Sequence, residues 1–244
     1  MNKKTIINSI LDNIKTIIGA LIIAIIIRSF IFQPFYIPSS SMEPTLLIGD
    51  RIFVSKYTYG YSKHSFPFSP GIFNGRIFYT KPEQGDLVVF KTPLDNRTDY
   101  IKRLIGLPGD EIQFVEGNIF INDEKIVRKK INIKNFVRCG KYSFGVNTYE
   151  EILPNGTRHI AVYNESGTLQ NTKKFRVPEN HFFLLGDNRD CSKDSRYLGN
   201  VISVNLVGKA RIIFFSNDTV KGSLFKFWNL NNSFRFDRLF KKIK

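Results

Sequence analysis

From Ile17 to Ile27 the chain carries no polar side chain, and this run near the N-terminus restricts the fold more than any other feature. At about 1.5 Å per residue it covers roughly 16 Å of a hydrocarbon core about 30 Å thick. Crossing a bilayer therefore requires Arg28 to snorkel and Phe30, Ile31 and Phe32 to extend the helix. This places a transmembrane anchor at residues 17–35, behind a short flank at 1–16. Lys3, Lys4 and Lys15 ahead of such a run also fit a secretory leader. Arg28-Ser29-Phe30-Ile31-Phe32 offers no small-x-small cleavage site, so the segment reads as an uncleaved anchor. Positive charge is nearly balanced on its two sides, which leaves orientation open under the positive-inside rule.

Beyond the anchor, 42% hydrophobic and 23% charged residues describe a folded chain rather than a disordered one. A net charge of +15 calls for acidic partners. Lysines and arginines are spread along the whole chain instead of forming a stripe, so nucleic acid is not expected and a basic surface facing membrane phospholipid is. Cys139 and Cys191 lack the paired spacing of zinc or redox motifs, so neither a metal nor another cofactor is expected. Whether they form a disulfide depends on geometry that sequence does not supply. His64, His159 and His181 are equally scattered and read as surface or ordinary core residues.

After Pro38 come short runs rich in Val, Ile, Phe and Tyr, punctuated by Gly, Pro and Asn: DRIFVSKY, DLVVFKT, YIKRLIGL, EIQFVEGNIFIND, HFFLLGD and LVGKARIIFF. These read as strands, and VEGNIFINDEKI as a hairpin turning at Glu116-Gly117-Asn118. Thr58–Pro82 reads as a long loop or irregular hairpin. The expected fold is mainly β: an antiparallel sheet domain from residues 36–111 and 178–220, a smaller β subdomain inserted at 112–177, and one transmembrane helix. Residues 221–244, with Trp228 and several phenylalanines among basic residues, form a tail suited either to the headgroup region or to a last strand and frayed end.

A serine becomes a nucleophile only beside a base that takes its proton, and no histidine here has a motif around it. A lysine is the alternative. In DYIKRLIGLPGD, strand alternation sends Tyr100, Lys102 and Leu104 to one face and Ile101, Arg103 and Ile105 to the other. At a pKa of about 10.4 only roughly one lysine in a thousand is neutral near pH 7.4, so a lysine base has to be desolvated. GDNRDCSKDSR, Gly186–Arg196, follows the apolar HFFLL and packs three acids, three basic residues and two serines into one loop. That density suits an ordered polar network.

PSSSMEPTL, PEQGDLVVF, YIKRLIGLPGD and GDNRDCSKDSR, in this order behind an anchor, resemble the boxes of bacterial type I signal peptidase, a Ser/Lys serine peptidase family. The resemblance runs from the anchor to about Gly208. It implies a hydrolase that removes signal peptides from exported preproteins, with Ser41 as nucleophile and Lys102 as general base. Ser39 resembles the family's hydroxyl donor to the oxyanion, acting with the Ser41 N–H. Ser192 matches the serine that hydrogen-bonds the lysine amine, and Asp194 and Arg196 match the pair that holds their loop. Phe35, Ile37, Met42, Leu46, Tyr100 and Ile101 match positions lining shallow apolar subsites for small residues of the Ala-x-Ala type. The family's location implies a single-pass inner-membrane protein, N-terminus cytoplasmic, with its catalytic domain on the outer face. Ser40 stands where many members have Gly and Cys191 where many have Asn, and the family's close-spaced cysteine pair is not transferred here. Oligomeric state stays open. Three rivals share some of these features: a self-cleaving Ser/Lys repressor, a conjugation-type maturation peptidase, and a non-catalytic, membrane-anchored basic module.

Overall fold

The computed structural model describes residues 3–71, 73–133, 136–140, 142–164, 171–218 and 233–243. Helix α1 runs from Lys3 to Phe30, and its stretch Asn8–Phe30, 23 residues of mean hydropathy 2.2, is long and apolar enough to cross a membrane. That stretch is about 35 Å long at 1.5 Å per residue. Apart from Ser29, which is buried where the helix reaches the sheet domain, its residues are left uncovered by the rest of the chain, and Ile17, Leu21 and Ile23 are all more than half exposed. A stripe of this size left bare in water is not tolerated, so lipid is its natural solvent.

The helix ends earlier than the anchor boundary expected from sequence. Phe32 and Phe35 are not helical: Phe32–Tyr36 forms strand β1, which pairs antiparallel with β2, Asp50–Ser55. Pro34 explains the break, because it has no N–H and clashes with a continuing helix, whereas on an edge strand it is accommodated. The missing length is recovered on the N-terminal side. There Asp12 and Lys15, which interrupt the apolar run, form an i,i+3 pair at 3.3 Å on the helix surface.

The chain continues through β3, Leu87–Lys91, and β4, Asp99–Gly106. It then enters a region of shorter strands: β5 Glu111–Val115, β6 Asn118–Ile121, β7 Glu124–Lys125, β8 Val127–Ile131, β9 Phe136–Cys139, β10 Tyr142–Ile152, β11 Arg158–Asn164 and β12 Phe175–Arg176. It returns through β13 His181–Leu185, a one-turn helix α2 at Ser195–Leu198, β14 Val201–Ile202, β15 Leu206–Ser216 and β16 Lys241–Lys242. The large sheet has the order β1-β2-β15-β3-β4-β13-β14, with β16 also on β15. Both smaller sheets, β12-β5-β6-β7 and β11-β10-β8 with β9, come from residues 111–176. The β5–β6 hairpin turns on Glu116 and Gly117, both at positive φ, which matches the strand twist and leaves Asn118 inside β6.

Of the four apolar clusters among the described residues, three hold the large sheet to its neighbours, and the fourth, Val137, Val146 and Val162, lies in the second small sheet. Ile37, Met42 and Leu46 pack with Ile52, Val54, Val89 and Val207 beneath the β1–β2 connection. Ile105, Ile112, Phe114 and Phe183 join the first small sheet to the large one, and Val88, Phe90, Leu104, Phe182 and Leu184 fill the third cluster.

The tail expected from 221 onward is, in its described part, stitched into the main body. Arg238 forms two hydrogen bonds to buried Asp50, at 3.0 and 2.6 Å, and Arg235 reaches the Ile48 carbonyl at 2.9 Å. Trp228 lies outside the described residues.

Candidate active site

Ser41 occupies the connection between β1 and β2. Backbone hydrogen bonds Glu43 N to Ser40 O and Leu46 N to Met42 O, both 2.9 Å, coil this segment, and the Glu43–Pro44 peptide is cis. Met42 and Leu46 are fully buried and anchor the coil in the core, each contributing on the order of 1.5–3 kcal/mol. Between them and the solvent, Ser41 is left 8% exposed.

Lys102 approaches from β4. Its Nζ lies 2.7 Å from Ser41 Oγ and 2.9 Å from the Ile101 carbonyl oxygen, and it sits 5.5 Å from the centre of the Tyr100 ring. The Tyr100 contact is the one expected for residues two apart on a strand face. Burial pushes Lys102 down to about 8, against Asp194 and Asp187, which favour the ammonium, while Arg196 adds to the lowering. The lysine is 3% exposed, so the dominant cause is loss of hydration.

The loop Gly186–Arg196 wraps the back of this pair. Asn188 donates its backbone N–H to the Ser41 carbonyl at 3.1 Å and its side-chain amide to the Ser40 carbonyl at 3.2 Å. Gly186 comes so close that a Cβ there would meet Ser192 Oγ at 2.2 Å and the Ser41 carbonyl oxygen at 2.5 Å. Only glycine fits this approach, since the backbone of the Ser41 turn cannot give way. Asp194 accepts from Arg196 Nε at 2.8 Å and Nη2 at 2.9 Å, accepts the Gly186 N–H at 3.0 Å, and caps α2.

Ser39 Oγ is 3.4 Å from Ser41 Oγ, at the exposed side of the turn. Ser192 is buried, but its Oγ has no hydrogen-bond partner among the described residues and does not bond Lys102, whose amine is engaged by Ser41 and Ile101. Phe35, Ile37, Met42, Tyr100 and Ile101 line a cleft of about 400 Å³ that opens on Ser39, Ser41 and Lys102. Leu46 does not line it: it points into the core formed with β2 and β15, so its role is packing rather than substrate contact.

Sequence reasoning missed several residues that hold the site. Arg103, next to the lysine, grips Asp187 through two hydrogen bonds of 2.8 Å and the Gly85 carbonyl through a third of 2.8 Å, all fully buried. Burial pushes the Asp187 carboxyl up, but the Arg103 guanidinium outweighs it and holds the group below the usual carboxylate range. Thr45 donates to the same carboxylate at 2.6 Å, tying the Ser41 turn to the loop. Deeper in, Arg189 pairs with Glu151 on β10 at 2.7 Å and donates to Tyr163 at 2.6 Å. Cys139 on β9 is disulfide-bonded to Cys191, fastening the inserted strands to the loop one residue before Ser192. The density of charge in GDNRDCSKDSR was the one signal that such partners exist.

A buried serine hydroxyl, a desolvated amine within hydrogen-bond reach and an apolar cleft beside them suit acyl transfer at a peptide bond. The model of the family described as signal peptidase, peptidase S26, matches residues 10–215. The chain belongs to this family. Signal peptidase I of Rickettsia bellii strain OSU 85-389 is 40% identical over 249 residues, covering 94% of this chain and 84% of the relative. Signal peptidase I of Rickettsia akari strain Hartford is 45% identical over 207 residues, covering 80% and 75%. A crystal structure of a signal peptidase I from Enterococcus faecalis V583 matches at 25% identity with a TM-score of 0.31, covering 53% of this chain and 97% of that one. The chain is accordingly a serine endopeptidase, a hydrolase of the S26 family.

Proposed function

We propose that this chain removes signal peptides from exported preproteins by a Ser41/Lys102 acyl-enzyme mechanism, working at the membrane surface. The observation that carries the reading is the 2.7 Å contact between Lys102 Nζ and Ser41 Oγ in a buried setting. Neutral Lys102 accepts the Ser41 proton as Oγ attacks the carbonyl carbon at the cleavage site. The oxyanion takes hydrogen bonds from the Ser41 N–H and the Ser39 hydroxyl, each donor worth about 3–4 kcal/mol by analogy with oxyanion-hole deletions. The tetrahedral intermediate collapses, the Lys102 ammonium gives its proton to the leaving amine, and the mature protein departs. Lys102, neutral again, takes a proton from water, whose oxygen attacks the Ser41 ester and releases the signal peptide.

The cleft is small and apolar, which favours Ala or similarly small side chains at the first and third positions before the cut. Ser192 reads as a positioning residue for the amine, reorienting toward it once substrate engages Ser41. Residues 36–111 and 178–220 form the catalytic domain in this reading, and 112–177 the insert that braces the loop. α1 tethers the site: the stretch from Phe30 to Ser41 is short, so Ser41 stays near the bilayer surface where a signal peptide exposes its cleavage site. Confinement to the same membrane raises effective concentration. The N-terminus is assigned to the cytoplasmic side and the catalytic domain to the outer face.

The test is incubation of the detergent-solubilised protein with a radiolabelled preprotein, followed by sequencing of the new N-terminus. Cleavage after a small residue, lost in Ser41→Ala and in Lys102→Ala with the fold retained, is the expected result. Substantial cleavage by either variant refutes the assignment. A panel of unrelated precursors separates general from dedicated processing.

A further inference from the structure

A second cavity, of about 630 Å³, lies where the end of α1 meets the sheet domain, and its wall is basic. Arg28, Lys56, Lys63, Lys91 and Arg97 line it, against the carboxylates of Asp95 and Asp99. Both acids are already engaged. Asp99 pairs with Lys91 at 2.9 Å, and Asp95 accepts the Thr98 hydroxyl at 2.5 Å and the backbone N–H groups of Arg97 and Thr98. Arg28, Lys56, Lys63 and Arg97 make no ion pair among the described residues. Lys56 is the buried one, 2% exposed, its ammonium donating to the Ser65 carbonyl. Burial, and after it the repulsion of Arg28, lowers its pKa to about 8 although Asp99 favours the ammonium, so an anion placed there would answer a charge that the protein itself compensates only in part.

The cavity's position says where the anion comes from. Arg28 is in the last turn of α1, and Phe30 packs edge-on against Phe66 of the cavity wall at 5.5 Å, with Tyr61 bonding the Phe30 carbonyl at 3.0 Å. Phe68, also on the wall, is fully exposed. Basic and aromatic side chains around the end of a membrane span mark the headgroup level of a bilayer. We infer that this cavity binds the phosphate of an anionic phospholipid headgroup, with Lys56 at its floor and Arg28, Lys63 and Arg97 around it. The inference rests on α1 crossing the bilayer and not on the Ser41/Lys102 chemistry.

The full chain in neutral detergent is titrated with dihexanoyl phosphatidylglycerol, dihexanoyl phosphatidylcholine and inorganic phosphate, binding being read as the rise in Tm. Phosphatidylglycerol is expected to stabilise the protein well below the concentrations at which the other two act. Lys63→Gln combined with Arg97→Gln is expected to weaken that response about tenfold or more, as loss of two charges at a membrane surface does. The charge-preserving pair Lys63→Arg and Arg97→Lys is expected to retain it. Lys129→Gln with Lys130→Gln, two exposed cations on β8, is expected to leave it unchanged. Equal titrations for the protein and its Lys63→Gln/Arg97→Gln variant overturn the site, and inorganic phosphate or phosphatidylcholine acting as well as phosphatidylglycerol overturns the lipid assignment. The readout needs no peptidase activity, so its failure and that of the dyad are separable.

Discussion

If Lys102 is the general base, the pH dependence of acylation follows from its burial. At a pKa of about 8 the amine is roughly one-tenth neutral at pH 7, against about one part in 2,500 for a lysine at 10.4. Desolvation thus raises the competent fraction some ~250-fold at neutral pH. The sign is fixed by chemistry: the deprotonated form is active, so activity is lost as pH falls. Below pH 7 the apparent kcat/KM for a peptide spanning a signal-peptide cleavage site is expected to fall close to tenfold per unit. It reaches half its plateau near pH 8 and is flat above. The kcat/KM profile reports the free enzyme, so it addresses the same state as the geometry. The assay is initial-rate cleavage of a fluorogenic peptide at low substrate concentration in mixed buffers from pH 5.5 to 10. Activity level from pH 6 to 9, or an acidic limb centred near 6.5 as an imidazole base produces, would refute the reasoning.

Removing the proposed oxyanion hydroxyl by Ser39→Ala is expected to lower kcat about 10²–10³-fold with KM little changed, measured under saturating peptide. Asp187→Ala removes the carboxylate that buried Arg103 grips through two hydrogen bonds, at a cost of about 3–5 kcal/mol, visible as a lowered midpoint in chemical denaturation; an unchanged midpoint would mean that the pair is not the brace described. Cys139→Ser with Cys191→Ser opens a loop of sequence separation 52, for which chain entropy alone gives up to about 4 kcal/mol. Its expected result is a lower Tm than the oxidised protein, reproduced by adding reductant to the protein and not to the variant.

Ser41 and Lys102, the proposed nucleophile and base, could be singled out only because PSSSMEP and YIKRLIG occur together with GDNRDCSKDSR in the order that the family resemblance requires; each pattern alone is weakly informative. Strands β2, β3, β4, β13 and β15 were readable for a different reason: fully or half-buried apolar runs bounded by turn residues. The long β10 was not, since YSFGVNTYEEI alternates weakly and owes its place to pairing with β8 and β11 rather than to burial. Arg103 and Asp187 are 84 positions apart, and alternation says only that Lys102 and Arg103 point to opposite faces of β4. Both are buried, because Lys102 lies against the Ser41 turn and Arg103 against Asp187 of the 186–196 loop. The Cys139–Cys191 bond depends on where β9 folds back, which no local spacing encodes. The anchor's end was misjudged because hydrophobicity continues through Phe32 and Phe35 while Pro34 turns the backbone into a strand.

The central claim is that Ser41 carries the acyl group and that Lys102 puts it there. A slowly deacylating peptide ester, ending in the small residue of a cleavage site, can be stopped with acid after milliseconds to seconds and the adduct located by mass spectrometry of proteolytic fragments. The account expects one acyl group on the fragment bearing Ser41, formed with a rate that follows the titration near pH 8, and essentially none in Lys102→Ala. An adduct on any other residue, or full-rate acylation of Ser41 in the absence of Lys102, would contradict it.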